Sequence, residues 1–295
     1  MLLKQYKIHF FDTLKNIQDE LEIESFFFIL TEYLHNLKRV DVALNPNFEL
    51  SDAAIEKWNA ILKELQQEKP IQYITGEAWF YGLRFEVNEN TLIPRPETEE
   101  LVEFILNETS NFQLPTSNLN ILDIGTGSGC IPIALKTNLP QANVSAIDVS
   151  EEALEVAKRN AASNKVEVNF IKANILEVED LSQLPSSIIH HPSSNNIIVS
   201  NPPYVRVLEK QEIKKNVLDY EPHLALFVDD TDALLFYRKI AQLALKNLTP
   251  NGLLFFEINQ YLGKETVALL ENLGFKNIEL RKDIYGNNRM IRCSI

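Results

Sequence analysis

Between residues 196 and 207 the chain reads NIIVSNPPYVRV. A run of β-branched and apolar residues stops at Ser200, and an amide, two prolines and a tyrosine follow at once. The Asn201 side-chain carbonyl accepts a hydrogen bond. Pro202 has no N–H, and the locked φ of the Pro-Pro step fixes the direction of its backbone carbonyl. Two acceptors set this way converge on the two N–H groups of one planar nitrogen. Tyr204 can lie against the flat face of the same group, with Pro203 holding the step between them. A nitrogen of that kind, in an amide or on an aromatic ring, is a poor nucleophile because its lone pair is delocalised. Holding its N–H bonds aims the lone pair at an electrophile, and orientation of this kind contributes on the order of 7–11 kcal/mol at best. A turn that merely ends a strand also uses prolines, but it has no need of the amide and the aromatic around them.

A second stretch, NILDIGTGSGC at 120–130, sets three glycines between a strand and a helix. Glycines there let backbone approach a ligand that a Cβ would block, and a helix N-terminus offers free N–H groups. The spacing is GxGxG, whereas dinucleotide sites use GxGxxG. Asp123 stands two residues ahead of the loop, and no Lys or Arg follows until Lys136. An acid in that place suits a positively charged ligand better than a phosphate, and the sulfonium and α-ammonium of S-adenosylmethionine carry such charge. Gly125, Thr126, Gly127, Ser128 and Gly129 are therefore the expected cofactor loop. Asp148 ends the next strand about 20 residues on, where a carboxylate accepts both ribose hydroxyls of an adenosine. Asn174, with Ile175 beside it, follows the third strand and is in place for the adenine edge. Asn201, after the fourth, faces the methyl group. A turn or cap role fits each acid and amide taken singly; three strand ends in order favour an adenosyl site.

The elements needed to hold these residues are legible. From about residue 119, short apolar runs alternate with helical patterns, among them a helix opened by the cap Ser150, and the chain ends in two strands around a Gly-Asn-Asn turn. Repeated βα units imply a mainly parallel sheet covered on both faces. The final hairpin forces the last strand to run antiparallel. The expected fold is thus α/β, Rossmann-like, with seven strands. Residues 1 to 69 read as a small helical domain, including a helix capped by Ser51 and the apolar cluster FFFIL at 26–30. Residues 70–95 read as a connector holding a β-hairpin around Gly76 and Gly82, and 96–295 as the catalytic domain. The segment LPSSIIHHPSSNN, 184–196, reads as a surface insertion. His190 and His191 have no acid or Cys partner at ligand spacing, so no metal is expected.

A net charge of −13 over 295 residues argues against stable binding to nucleic-acid backbone. No run of about 18 apolar residues is present, so no membrane partner is expected. Cys130 and Cys293 form no metal or disulfide pattern, which with the absence of an apolar leader gives a cytoplasmic expectation. Nothing in the pattern forces more than a monomer.

GTGSG, AID and NPPY resemble class I methyltransferases that modify planar nitrogens. With PIQYITGEAWFYGLRFEVNENTLIPRPETEELV, DYEPHLAL and KDIYGNNR added, the chain from about residue 70 resembles the HemK-like family of peptide-chain release factor glutamine methyltransferases. The resemblance implies transfer of a methyl group from S-adenosylmethionine to the side-chain amide of the Gln in the Gly-Gly-Gln motif of class I release factors, which are the implied partners. It places Gly125 to Gly129 and Asp148 at the cofactor, Asn201 to Tyr204 at the Gln amide, and the N-terminal helices of residues 1–69, as a substrate-recognition domain, together with the hairpin, against the release factor. Alternatives are a ribosomal-protein glutamine methyltransferase, whose PRSP pattern differs from PRPET here, and an adenine-amine nucleic-acid methyltransferase. Three positions depart from the family pattern: Asn174-Ile175 in place of an acid and an aromatic, Asn195-Asn196 before the fourth strand, and Asn259 in place of a Gly.

Overall fold

The computed structural model describes residues 1–110, 119–184 and 195–295. Residues 185–194, with His190 and His191, therefore lie outside the described residues, while Asn195 and Asn196, read as the end of the insertion, open a strand. In chain order the elements are α1 (Leu3–Leu14), α2 (Glu20–His35), α3 (Arg39–Leu44), α4 (Asp52–Gln66), α5 (Ile71–Thr75), β1 (Glu77–Phe80), β2 (Leu83–Glu86) and α6 (Pro96–Thr109). Then follow β3 (Asn120–Ile124), α7 (Cys130–Asn138), β4 (Asn143–Asp148), α8 (Glu151–Ser163), β5 (Asn169–Lys172), β6 (Asn195–Ser200) and β7 (Val205–Arg206). The chain closes with α9 (Lys215–Tyr220), α10 (His223–Leu226), β8 (Phe227–Val228), α11 (Leu235–Asn247), β9 (Leu248–Glu257), α12 (Gly263–Leu273), β10 (Lys276–Lys282) and β11 (Asn288–Ser294).

The chain divides into two compact units. One comprises Met1–Gly76 with Lys214–Tyr220, the other Glu77–Ile213 with Glu221–Ile295. Residues 70–76 thus go with the helices, and the hairpin goes with the sheet, so the stretch expected as one connector is shared between the units. Residues 71–75, expected to lead into strand, form a helical turn whose Thr75 hydroxyl bonds the Ile71 carbonyl.

In the helical unit, Trp58 is fully buried and packs against Tyr6, Phe10 and Phe27, with ring centroids 5.3, 5.7 and 5.3 Å away. Its indole N–H, which needs a partner when buried, donates to His35 Nε2 at 2.9 Å. Of FFFIL, Phe27 and Leu30 are buried on α2. Ser51 accepts the Ala54 N–H, the expected cap of α4.

In the second unit a seven-stranded sheet has the order β10-β11-β9-β6-β3-β4-β5. The pairs β9–β6, β6–β3, β3–β4 and β4–β5 are parallel, while β11 runs antiparallel to both its neighbours. The last strand is the reversed one, as the terminal hairpin requires. Alternate residues enter opposite cores. Leu122, Ile124, Ile198, Leu254 and Phe256 join one apolar cluster, and Ile121, Ile197, Val199, Leu253 and Phe255 the other. Both faces are therefore apolar, as expected of parallel strands covered by helices. Pro250-Asn251-Gly252, which reads as a turn ending a helix, lies inside β9, where the register against β6 slips between Asn195 and Ile197. No helix among the described residues is long and apolar enough to cross a membrane.

Candidate active site

The parallel register builds the site. Ile124 pairs with both Ile147 and Ser200, and Ser200 pairs with Phe256. The next residue on each strand, Gly125, Asp148, Asn201 and Glu257, therefore stands on one level at the carboxyl ends of four adjacent strands. β3 and β6 are neighbours at the point where the strand order reverses, the place where open α/β sheets bind ligands. A cavity of about 340 Å³ opens there.

Its walls include Gly125, Thr126, Gly127, Ser128, Asp148, Asn174, Ile175, Asn201, Pro202 and Pro203. All ten are residues that the sequence singles out. Gly125 and Gly127 have φ of +80° and +54°, a region L side chains rarely adopt. The Gly125 and Thr126 N–H groups both donate to the Ile147 carbonyl, at 2.8 and 3.0 Å, which folds the loop over the end of β4. The Gly127 N–H donates to Asp148 Oδ2 at 2.8 Å, and the Ser150 N–H to Oδ1 at 2.9 Å. Each Asp148 oxygen is thus fixed by one backbone donor and keeps a lone pair for a ligand hydroxyl. Burial raises the Asp148 carboxyl above the ordinary range, and those backbone donors pull it back in part.

Asp123 is fully buried, and among the described residues neither carboxylate oxygen makes a well-formed hydrogen bond, although the nearby Thr126 hydroxyl and Ile124 N–H offset part of the cost of burial. Burial pushes its carboxyl up to about 7, and the charge of Asp148 adds to the rise. A buried acid so weakly hydrogen-bonded behind a glycine loop is a setting in which a ligand cation is welcome. Lys136 is no part of this: its ammonium donates to the carbonyls of Pro140 and Ala142.

Two residues expected at the ligand line no part of the cavity. Gly129 is the N-cap of α7, and a Cβ there would meet Ile133 Cδ1 at 3.0 Å and Ala157 Cβ at 3.1 Å, so its glycine serves helix packing. Tyr204 turns its hydroxyl to Glu257 Oε1, to which it donates at 3.1 Å, and its ring packs on the core under α11. Burial and the Glu257 charge drive this phenol far above its ordinary range. Asn174 reaches the cavity wall, yet its side chain is occupied locally: Nδ2 donates to Glu177 and Oδ1 accepts the Leu176 N–H.

The sequence reading missed Thr98 and Glu257. Thr98, on the first turn of α6, donates to Glu257 Oε2 at 2.6 Å and accepts from Asn201 Nδ2 at 3.3 Å. Glu257 is 1% exposed, and burial raises its carboxyl. The signal was a lone acid ending the apolar run GLLFFE. Asn259, the departure from the expected Gly, donates to the Tyr204 carbonyl at 2.9 Å and to Glu209 at 2.8 Å. Glu221, from DYEPHLAL, is buried and accepts the Ile93 N–H at 3.1 Å and the Arg95 guanidinium, which ties that motif to PRPET at the cavity wall. Among the described residues no group of three or more His, Cys, Asp or Glu is placed to hold a metal.

Known proteins resemble this chain along its whole length. Residues 115–262 match the model of a methyltransferase domain, and residues 9–76 that of the PrmC N-terminal domain. A release factor glutamine methyltransferase of Flavobacterium psychrophilum is 59% identical over 295 residues, which is 100% of this chain and 99% of the relative. Proteins of the same name from Bacteroides thetaiotaomicron and Streptococcus pneumoniae are each 39% identical, over 96% and 94% of this chain and 96% and 95% of the relatives. Among solved structures, the hMettl16 catalytic domain bound to an RNA hairpin superposes with a TM-score of 0.53 at 16% identity, covering 72% of this chain and 76% of that one, a likeness of fold alone. By full-length similarity and by both of its domains, the chain belongs to the release factor glutamine methyltransferase family.

Proposed function

We propose that the protein transfers a methyl group from S-adenosylmethionine to the side-chain amide nitrogen of the Gln in the Gly-Gly-Gln motif of class I release factors. The observation that carries this is the pair Asn201 and Pro202 on the wall of the same cavity as Gly125, Gly127 and Asp148. The cavity suits the cofactor. Its glycine loop has open space where a Gly127 side chain would stand, Asp148 is pinned with acceptor capacity left, and Asp123 is a buried, weakly hydrogen-bonded acid. Gly125 to Ser128 would hold the methionine portion, Asp148 the ribose, and Ile175 with the Asn174 backbone the adenine. When bound, the cofactor supplies an electrophilic methyl group on a sulfonium.

The remaining chemistry belongs to the chain. Asn201 Oδ1 and the Pro202 carbonyl accept the two N–H bonds of the Gln amide and hold its plane, so that the lone pair faces the methyl. The nitrogen gains one C–N bond as the S–CH3 bond of the sulfonium breaks, which would leave the neutral thioether S-adenosylhomocysteine, and it releases one proton, which becomes acidic only as the methyl arrives and leaves through the same acceptors to water. No strong base is required. Tyr204 contributes through its hydroxyl on Glu257 rather than by covering the amide.

The test is transfer of labelled methyl groups to a purified class I release factor, to a copy with the motif Gln replaced by Ala, and to unmethylated duplex DNA. Label on the intact factor alone is the expected result. Label on DNA alone would mean that the clamp holds a base, and label on both factors that another residue is the target.

A further inference from the structure

We propose that Thr98 and Glu257 decide which end of the Asn201 amide faces the substrate, and are positioning residues for methyl transfer. The inference rests on the reading that Asn201 Oδ1 receives the substrate N–H. The two ends of an Asn amide are nearly equal in size, so packing alone does not choose between them; hydrogen-bond direction does.

The direction is fixed from below. The parallel register sets Glu257 level with Asn201 on the neighbouring strand. An ionised carboxylate only accepts. Glu257 Oε2 accepts the Thr98 hydroxyl proton at 2.6 Å, so the Thr98 oxygen has only lone pairs to offer its other neighbour. That neighbour is the Asn201 amide, which must turn its NH₂ towards Thr98, at 3.3 Å. Oδ1 is then left for the cavity that Asn201 and Thr98 both line. A reversed amide would set Oδ1 against an oxygen that cannot donate, and present N–H groups to the N–H groups of the substrate. The other oxygen of the same carboxylate accepts the Tyr204 hydroxyl at 3.1 Å. One buried acid therefore holds both sides of the Pro-Pro step, Asn201 before it and Tyr204 after it. A carboxylate in an apolar strand carries a desolvation cost, and these charge-assisted bonds offset it.

The test has two readouts. Thr98→Val keeps the shape and removes the relay, whereas Thr98→Ser keeps the hydroxyl. The valine variant is expected to lose about tenfold or more in kcat, with cofactor Kd within about twofold, and the serine variant to recover most of the loss. A purely structural role would instead lower cofactor affinity and melting temperature together. The second readout needs no substrate: the Asn201 side-chain NH₂ resonances, assigned by their loss in Asn201→Ala, should show one proton protected from exchange in the parent and in Thr98→Ser but not in Thr98→Val. An unprotected NH₂ in the parent, or a kcat for Thr98→Val within about threefold of the parent, would overturn the relay. A parent that methylates no Gln, with the NH₂ protected as expected, would overturn the functional reading and leave the relay standing.

Discussion

Asn201 and Asp148 line one cavity but face different demands. On the proposed clamp, Asn201→Ala takes away a transition-state acceptor and should lower kcat by far more than tenfold while the cofactor still binds. Turnover within about tenfold of the parent would sink the clamp. Asp148→Ala frees the Gly127 N–H and, on the proposed reading, removes the ribose acceptor, so it should raise cofactor Kd by about tenfold or more, as read by calorimetry. Asp123 gives a pH prediction. Its carboxyl stands at about 7 in the folded protein against 3.8 ordinarily, so the folded state binds the proton more tightly than the unfolded chain. The stability this provides is complete below about pH 3.8, declines as pH rises, and is gone above about 7. Asp123→Asn lacks this term. Without cofactor, the variant should gain on the parent between pH 5 and pH 8 in urea unfolding; a gap equal at both pH values would contradict the assignment. Most of these residues were legible because chemistry and position coincide at strand ends. Thr98 and Glu257 were not, because a Thr in a first helical turn and a Glu closing a strand have ordinary meanings until the fold brings them within 2.6 Å.

At the scale of elements, alternation and caps carried the reading well. Ser51 and Ser150 cap the helices they precede, and the βα repeats give the parallel sheet. The failures have local causes. Pro250 and Gly252 signal a turn, but the slip in register absorbs them inside β9. The aromatic and β-branched residues after Pro70 favour a strand, yet residues 71–75 close a helical turn that ends at Gly76, with φ +73°. The glycine loop shows how one motif serves two elements. Gly127 has open space around it and Gly129 does not. Gly129→Ala should therefore cost roughly 2–3 kcal/mol through overpacking and a strained φ, against about 1 kcal/mol for Gly127→Ala. Thermal or urea unfolding of the two variants checks this; equal losses would remove the packing role of Gly129.

At the scale of the whole molecule, each unit has its own core. In the helical unit that core centres on Trp58, and Trp58→Ala should cost roughly 3–5 kcal/mol, read as early loss of tryptophan-independent helical signal in denaturant. The division of the chain was only partly legible. The change of texture at Pro70 marks the neighbourhood of the boundary, but nothing in NVLDY at 216–220 announces that this short helix belongs with residues 1–76. Its assignment rests on contacts far apart in sequence, such as the Tyr220 hydroxyl on the Gln67 carbonyl and Lys215 beside Glu68. That return of the chain has a consequence for how such proteins diversify. A unit made of one continuous stretch can be exchanged by a single recombination event. Here a crossover at residue 76 would leave residues 214–220 inherited from one parent and their helical partners from the other. The first residue past the returned segment is Glu221, which secures Ile93 and Arg95. The helical and methyltransferase portions are thus stitched into one heritable whole, and a working chimera has to carry three junctions, not one.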